Sequence, residues 1–266
     1  MRIDPEIVAI LNVTEDSFSD GGRYLAADAA NAHALALIRA GADILELGPA
    51  SSHPDAELVS AKDQIARLRP VLDALSGEAI PISVDATNVE VLRFALDHGV
   101  QYLNDVRGFA DPSFHPELAA ATASLVVVHS LLGEERATRE AATVERVLES
   151  IDRFFSMRLT ELVRAGISEE RLIVDPGMGF FLGNHPDASI AVLRGIEDLR
   201  GKFGRPVFVS VSRKSFLREI TGRSVDGSGA ATLSAELYAA TAGAAYIRTH
   251  DPGALRDGLL IRNALA

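Results

Sequence analysis

The sequence predicts an α/β chain folded as a (β/α)8 barrel of the TIM type, in one domain over residues 1–266. Three observations carry this. Eight strand-length runs rich in apolar and β-branched residues alternate with eight stretches of helical period. The strand runs are almost continuously apolar, as suits strands covered on both faces of a parallel sheet. Eight such units in 266 residues is the usual size of a closed barrel. An open, doubly wound sheet is the rival. It would place a G-x-G-x-x-G turn after its first strand, whereas here that strand runs into NVTEDSFSDGG.

In order, the expected strands are IVAILNV (7–13), DILELG (43–48), PISVD (81–85), YLNDV (102–106), LVVVHS (125–130), LIVDPG (172–177), VFVSVS (207–212) and YIRTH (246–250). The helical stretches between and after them are DAANAHALALIRAG, VSAKDQIARLRPVLDALSG, NVEVLRFALDHG, PELAAATA, VERVLESIDRFFSMRLTELVRAG, ASIAVLRGIEDLRGKFG, AATLSAELYAATAG and ALRDGLLIRNALA. Gly41, Gly77, Gly99, Gly166, Gly204 and Gly243 stand where helix C-caps are expected.

Composition excludes several classes. Hydrophobic residues make up 47 %, enough for a sizeable core and against disorder. The net charge of −11, with no basic stripe, argues against a nucleic-acid partner, though not against a small phosphate site. Cysteine is absent, which removes disulfides, thiolate metal sites and a cysteine nucleophile. The start MRIDPEIVAILNVT lacks signal-peptide character, and no apolar run approaches the roughly 18 residues of a membrane span, so a cytoplasmic protein is expected.

The strand ends carry the chemistry, because in a barrel they share one face. They read Asn12, Gly48, Asp85, Asn104 with Asp105, His129 with Ser130, Asp175, Arg213 with Lys214, and Arg248 with His250. Any one of these polar residues could simply cap a helix. As a set they sort by charge, with acceptors on strands three to six and cations on strands seven and eight. Asp85, Asn104 and Asp175 suit a flat heterocycle with a guanine-like or pterin-like edge, since Asp accepts and Asn both accepts and donates. Arg213, Lys214, Arg248 and His250 suit an anion, and barrels often hold phosphate after strands seven and eight.

These residues lie in segments that resemble dihydropteroate synthase. The segments are ILNVTEDSFSDGGRY, GADILELG, SVDAT, YLNDVRGF, VVVHS, LIVDPGMGF, SVSRKSF and YIRTHDPG, in order from residue 10 to 253. The resemblance implies a transferase of folate biosynthesis (EC 2.5.1.15). It would condense 6-hydroxymethyl-7,8-dihydropterin diphosphate with p-aminobenzoate, using Mg2+. By position it implies that Asp85, Asn104, Asp175 and Lys214 hold the pterin. Arg248, His250, Asn12 and His53 face the diphosphate, and Asn12 the metal. Ser52, Pro54, Phe180, Phe181 and Ser215 line the aminobenzoate pocket. Lys214, Arg248 and His250 are the catalytic candidates. A homodimer through the late barrel helices is implied as well.

The chain departs from the family twice. GPASSHPDA (48–56) replaces the usual GxESTRPG, with Ser52 for Thr and His53 for Arg, and Phe181 and Leu182 follow DPGMGF in place of a small residue and Lys. Both departures are similar to the mobile sulfonamide-insensitive branch of the family, so insensitivity is expected, with Phe181 as the wall that excludes the drug. Two alternatives stand beside this reading. A methyltransferase acting on methyltetrahydrofolate would not need Arg248 and His250 as an anion clamp. A non-catalytic pterin-binding paralogue is supported by His53 alone. His33, His98, His115 and His185 read as solvated or capping, His129 as a hydrogen-bonded residue of the barrel mouth, and GRSVDGSGAAT (222–232) as a connection without the ending of a phosphate loop.

Overall fold

A computed structural model describes residues 4–13, 22–51, 58–131, 142–183 and 185–266. Eight parallel strands form one sheet: β1 (Glu6–Asn12), β2 (Ile44–Gly48), β3 (Ile82–Asp85), β4 (Tyr102–Asp105), β5 (Ser124–Val128), β6 (Leu172–Asp175), β7 (Phe208–Val209) and β8 (Tyr246–Thr249). Their order, β6-β5-β4-β3-β2-β1-β8-β7, wraps the chain into a nearly closed barrel. The last seam, between β6 and β7, is held by an isolated bridge between Val174 and Val207, with the Val174 N–H donating to Pro206 O at 3.0 Å. The expected strands are all present, the seventh cut to two residues.

Helices cover the outside: α1 (Gly22–Arg39), α2 (Ala61–Leu75), α3 (Val89–Asp97), α4 (His115–Ala120), α5 (Val144–Arg164), α6 (Pro186–Arg194), α7 (Ile196–Phe203), α8 (Ser215–Thr221), α9 (Gly229–Thr241) and α10 (Pro252–Ala264). The amphipathic period does the placing. Along α5, Val147, Ile151, Phe155, Leu159 and Leu162 recur on one face and are buried. Two expectations need correction. The stretch 188–204 is two helices, because the chain breaks at Gly195, and SFLREIT forms α8, which the apolar pattern alone did not reveal. Of the six expected C-cap glycines, five adopt positive φ, between 61° and 104°. Gly77, which follows the Ser76 C-cap of α2, does not. No helix among the described residues is long and apolar enough to cross a membrane.

Strand parity positions the site. Ile7, Ala9, Leu11, Leu45, Leu47, Val84, Leu103, Val174 and Ile247 belong to the large core shared with the helices. Their alternates Val8, Ile44, Val126, Val128, Ile173 and Phe208 pack with Tyr102 and Tyr246 as a second cluster, filling the barrel. Further along the same inward rows come Glu46, Ser83, Asp85, Asn104, Asp175 and Arg248. The barrel is thus apolar below and polar toward the strand C-termini.

Candidate active site

Glu46 lies at the centre of the polar layer and is fully buried. It follows Ile44 on the inward row of β2, level with Ser83 of β3. Its Oε1 pairs with Arg248 Nε, while Oε2 accepts from Ser83 Oγ at 3.0 Å and from Asn104 Nδ2 at 3.0 Å. Arg248 reaches Asp85 as well, Nη2 to Oδ2 at 3.1 Å. One guanidinium therefore serves two carboxylates, with a fork geometry that a lysine could not copy. Burial opposes the charge on Arg248, but Glu46 and Asp85 outweigh it and hold the guanidinium pKa above its ordinary value. Asn104 Oδ1 is buried and has no partner among the described residues.

Across the barrel, Asp175 Oδ1 accepts the N–H of Gly177 at 2.8 Å. Burial pushes Asp175 up to about 7 and Asp85 up to about 6, against the pull of Arg248 and Lys214 on both. Lys214 is pushed down to about 8, first by burial and then by Arg248, with Asp175 and Asp85 opposing. Carboxylates held this far up are short of donors, and a ligand edge carrying N–H groups would supply them.

The loop after β6 is fixed by backbone. Gly177 (φ +76°) passes so close to β5 that a Cβ there would lie 2.4 Å from His129 O. Gly179 (φ +63°) gives its N–H to Ser189 Oγ at 3.0 Å, and a Cβ on it would sit 3.2 Å from Ser215 Oγ. Gly177→Ala is expected to cost more than about 2 kcal/mol, from the left-handed backbone and the collision with a carbonyl that cannot move. Urea unfolding measures it, and a loss under about 1 kcal/mol would mean that the loop is free to shift. This loop carries Phe180 and Phe181. The Phe181 ring is buried with the barrel-filling cluster, 4.8 Å from Lys214 Nζ.

The rim of β7 and β8 holds the anion candidates. His250 Nδ1 meets Ser212 Oγ at 2.9 Å, and Ser212 Oγ also accepts the His250 N–H at 3.2 Å. With Oγ accepting that amide, its own proton is available to Nδ1, an arrangement that leaves Nε2 as the donor toward an anion. Burial, then Arg248, Arg213 and Lys214, push His250 down to about 3, so the ring is neutral. Arg213 is exposed, with φ +60°. Asn12 ends β1 at the exposed rim, its Oδ1 3.3 Å from where a Cβ on Gly48 would stand.

The inward row brings together Asp85, Asn104, Asp175, Lys214 and Arg248, with His250 beside them. Ser215 begins α8 next to Lys214. Ser52, His53 and Pro54 lie outside the described residues. Asp105 has the opposite strand parity. Its oxygens accept the N–H groups of Arg107 and Phe109 at 2.8 and 2.7 Å, so it shapes the loop after β4 rather than facing the ligand. His115 is not solvated but buried, with Nε2 2.8 Å from Phe109 O, and its backbone N–H caps the short 3-10 turn Pro112–Phe114. His33 is exposed, and His98 and His185 do cap helices. His129 is hydrogen-bonded to Pro176 O and Ser150 Oγ, and burial lowers it to about 4. Glu46 escaped the sequence reading because it sits two residues before the strand end. A lone acid inside the apolar run ILELG was the available signal.

The comparisons agree with this geometry. A family model described as pterin binding enzyme matches residues 8–250. The chain is 53 % identical to dihydropteroate synthase type-2 of Escherichia coli, over 97 % of this chain and 95 % of that one. It is 46 % identical to dihydropteroate synthase type-1 of Mycolicibacterium fortuitum, over 100 % and 94 %. The solved Xanthomonas albilineans dihydropteroate synthase with 4-aminobenzoic acid superposes with a TM-score of 0.89 at 33 % identity, covering 98 % of this chain and 93 % of that one. The chain belongs to the dihydropteroate synthases, within the pterin binding enzymes.

Proposed function

We propose that this site joins p-aminobenzoate to 6-hydroxymethyl-7,8-dihydropterin diphosphate and releases diphosphate and 7,8-dihydropteroate. The observation that carries the reading is the inward polar layer, where donor-poor Asp85, Asp175 and Asn104 face the cations Arg248 and Lys214. The acids and the amide take the N–H edge of the pterin ring. Arg248, Lys214 and the neutral His250 lie on the side where the diphosphate departs. The C–O bond from the pterin methylene to diphosphate breaks, and its electron pair leaves with the diphosphate. The cationic methylene is favoured by the ring and by Asp85 and Asp175 beside it. The arylamine nitrogen then forms the new C–N bond and loses its proton to water, so no strong protein base is needed.

The exposed Asn12 amide oxygen is a hard donor at the mouth and fits Mg2+, which accepts one weak protein ligand alongside waters and substrate phosphate. Bound there, Mg2+ would neutralise charge on the leaving diphosphate. The decisive assay is p-aminobenzoate-dependent diphosphate release with Mg2+ present. A folded protein that binds the pterin diphosphate without releasing diphosphate would favour the non-catalytic paralogue instead.

Sulfonamide insensitivity is part of the same proposal. The Phe181 ring is held on two sides, by the barrel-filling cluster and by Lys214. Such a wall yields little to a tetrahedral sulfonyl group but spares a flat carboxylate. Phe181→Gly is expected to lower the sulfonamide inhibition constant by about tenfold or more, with a smaller change in KM for p-aminobenzoate. An unchanged inhibition constant would count against the wall. The homodimer and the cytoplasmic setting belong to the proposal too. Tyr238 on α9 and Leu260, Ile261 and Leu265 at the end of the chain are exposed on or beside two helices that pack together, which supports a covering second copy.

A further inference from the structure

Glu46 bonds to an amide that could face its ligand in two ways. A carboxylate accepts and cannot donate, so the Asn104 side chain can turn only its NH2 group toward Glu46 Oε2, at 3.0 Å. That leaves Asn104 Oδ1 as the unpartnered atom, on a residue 4 % exposed. We propose that Glu46 locks the Asn104 amide in this orientation and thereby makes the site selective for a 2-amino ring over its 2-oxo counterpart. The proposal rests on the pterin-binding reading above.

The chemistry runs as follows. With NH2 committed to Glu46, Asn104 offers the ligand an acceptor, Oδ1, beside its one remaining N–H. A ring edge made of an exocyclic amino group next to a ring nitrogen matches that pair. An edge with an exocyclic oxygen sets oxygen against oxygen. Asp85 and Asp175 favour donors too, and at a pH above about 7, where both are ionised, neither can turn itself into a donor. Asn104 can, by a half-turn of its amide, so it is the position where selectivity has to be locked.

Glu46→Gln gives a directional test. Arg248 has only donors, so the oxygen of the substituted amide must face Arg248, as Glu46 Oε1 does now. The new NH2 then faces Ser83 and Asn104, and Asn104 must flip to accept from it. Its own NH2 swings to the ligand. Binding is measured by calorimetry for 6-hydroxymethylpterin diphosphate and for its 2,4-dioxo analogue. The wild-type protein is expected to prefer the amino ring, and E46Q to narrow that preference by at least about tenfold. The double variant E46Q/N104D conserves net charge and puts an acceptor back, so it is expected to recover the preference. Ser83→Ala removes a neighbour of Glu46 without touching the amide and is expected to leave the ratio unchanged. Asn104→Leu keeps Glu46 and removes only the amide, so it too should narrow the ratio, and it carries the test if E46Q does not fold. E46Q or N104L binding both rings more weakly with the wild-type ratio intact would overturn the proposal alone. Wild-type protein binding neither ring would overturn the pterin reading and this proposal with it.

Discussion

Arg248→Met is expected to cost about 3–5 kcal/mol of stability and to lower kcat/KM by about a hundredfold or more. The stability loss comes from Glu46. Its side chain is 0 % exposed, and Arg248 is the cation that pairs with it. Removing one partner of a buried pair leaves the other desolvated and uncompensated. The activity loss has a separate source, because Arg248 also holds Asp85 and, in the function proposed above, stands on the side where the diphosphate departs. The two effects can be separated. In Arg248→Met/Glu46→Leu the orphaned charge is gone, so denaturant unfolding should recover most of the stability while diphosphate release stays low. Recovery of both together would mean that Arg248 acts only as a structural tie.

Lys214→Met is expected to lower kcat/KM about a hundredfold at neutral pH and to abolish the alkaline limb of its pH profile. Burial and Arg248 bring Lys214 from its ordinary 10.5 down to about 8, so its charge is present below about pH 8 and lost above it. Asp175, raised to about 7, is charged above that value and sets the acid limb. The free-enzyme profile of kcat/KM is therefore a narrow bell between about 7 and 8, with apparent values that belong to the coupled cluster. Stability carries the opposite sign. A lysine with a depressed folded pKa binds fewer protons folded than unfolded between about 8 and 10.5, so stability rises with pH across that window and the charged form costs stability below it. Lys214→Met should thus melt higher at pH 7 while turning over poorly. A lower melting temperature together with a surviving alkaline limb would show that Lys214 does not set the profile.

Much of this site was legible in the sequence. Asp85 and Asp175 end their strands, Asn104 and Arg248 stand one residue before the end, and His250 and Lys214 follow in the loops after β8 and β7; closing the barrel gathers such positions on one face. Strand parity was less legible. Asn104 and Asp105 are neighbours in sequence, yet one enters the polar layer and the other caps a turn, because consecutive side chains leave a strand on opposite faces. Glu46 was hidden for a related reason. Attention to the last residue of each strand overlooks an inward residue one layer below. The split at Gly195 and the short α8 were illegible because helix period alone does not reveal a break between two short helices. The expected aminobenzoate contacts Ser52 and Pro54, and His53 at the diphosphate, fall outside the described residues.

The seam between β6 and β7 has a consequence for how substrate and scaffold depend on each other. Most of the barrel wall is laced by several backbone bonds per neighbour, but here a lone bridge joins Val174 to Val207. Asp175 follows directly on one side of that join, and Lys214 lies in the loop between β7 and α8 on the other. A ring gripped by both residues spans the thinnest part of the wall, like a clasp on a hoop. The ligand then becomes part of the architecture, and some of its binding energy goes into keeping the circle shut rather than into affinity. In the function proposed above, the sector with least to hold the barrel is the one that an arriving pterin would brace.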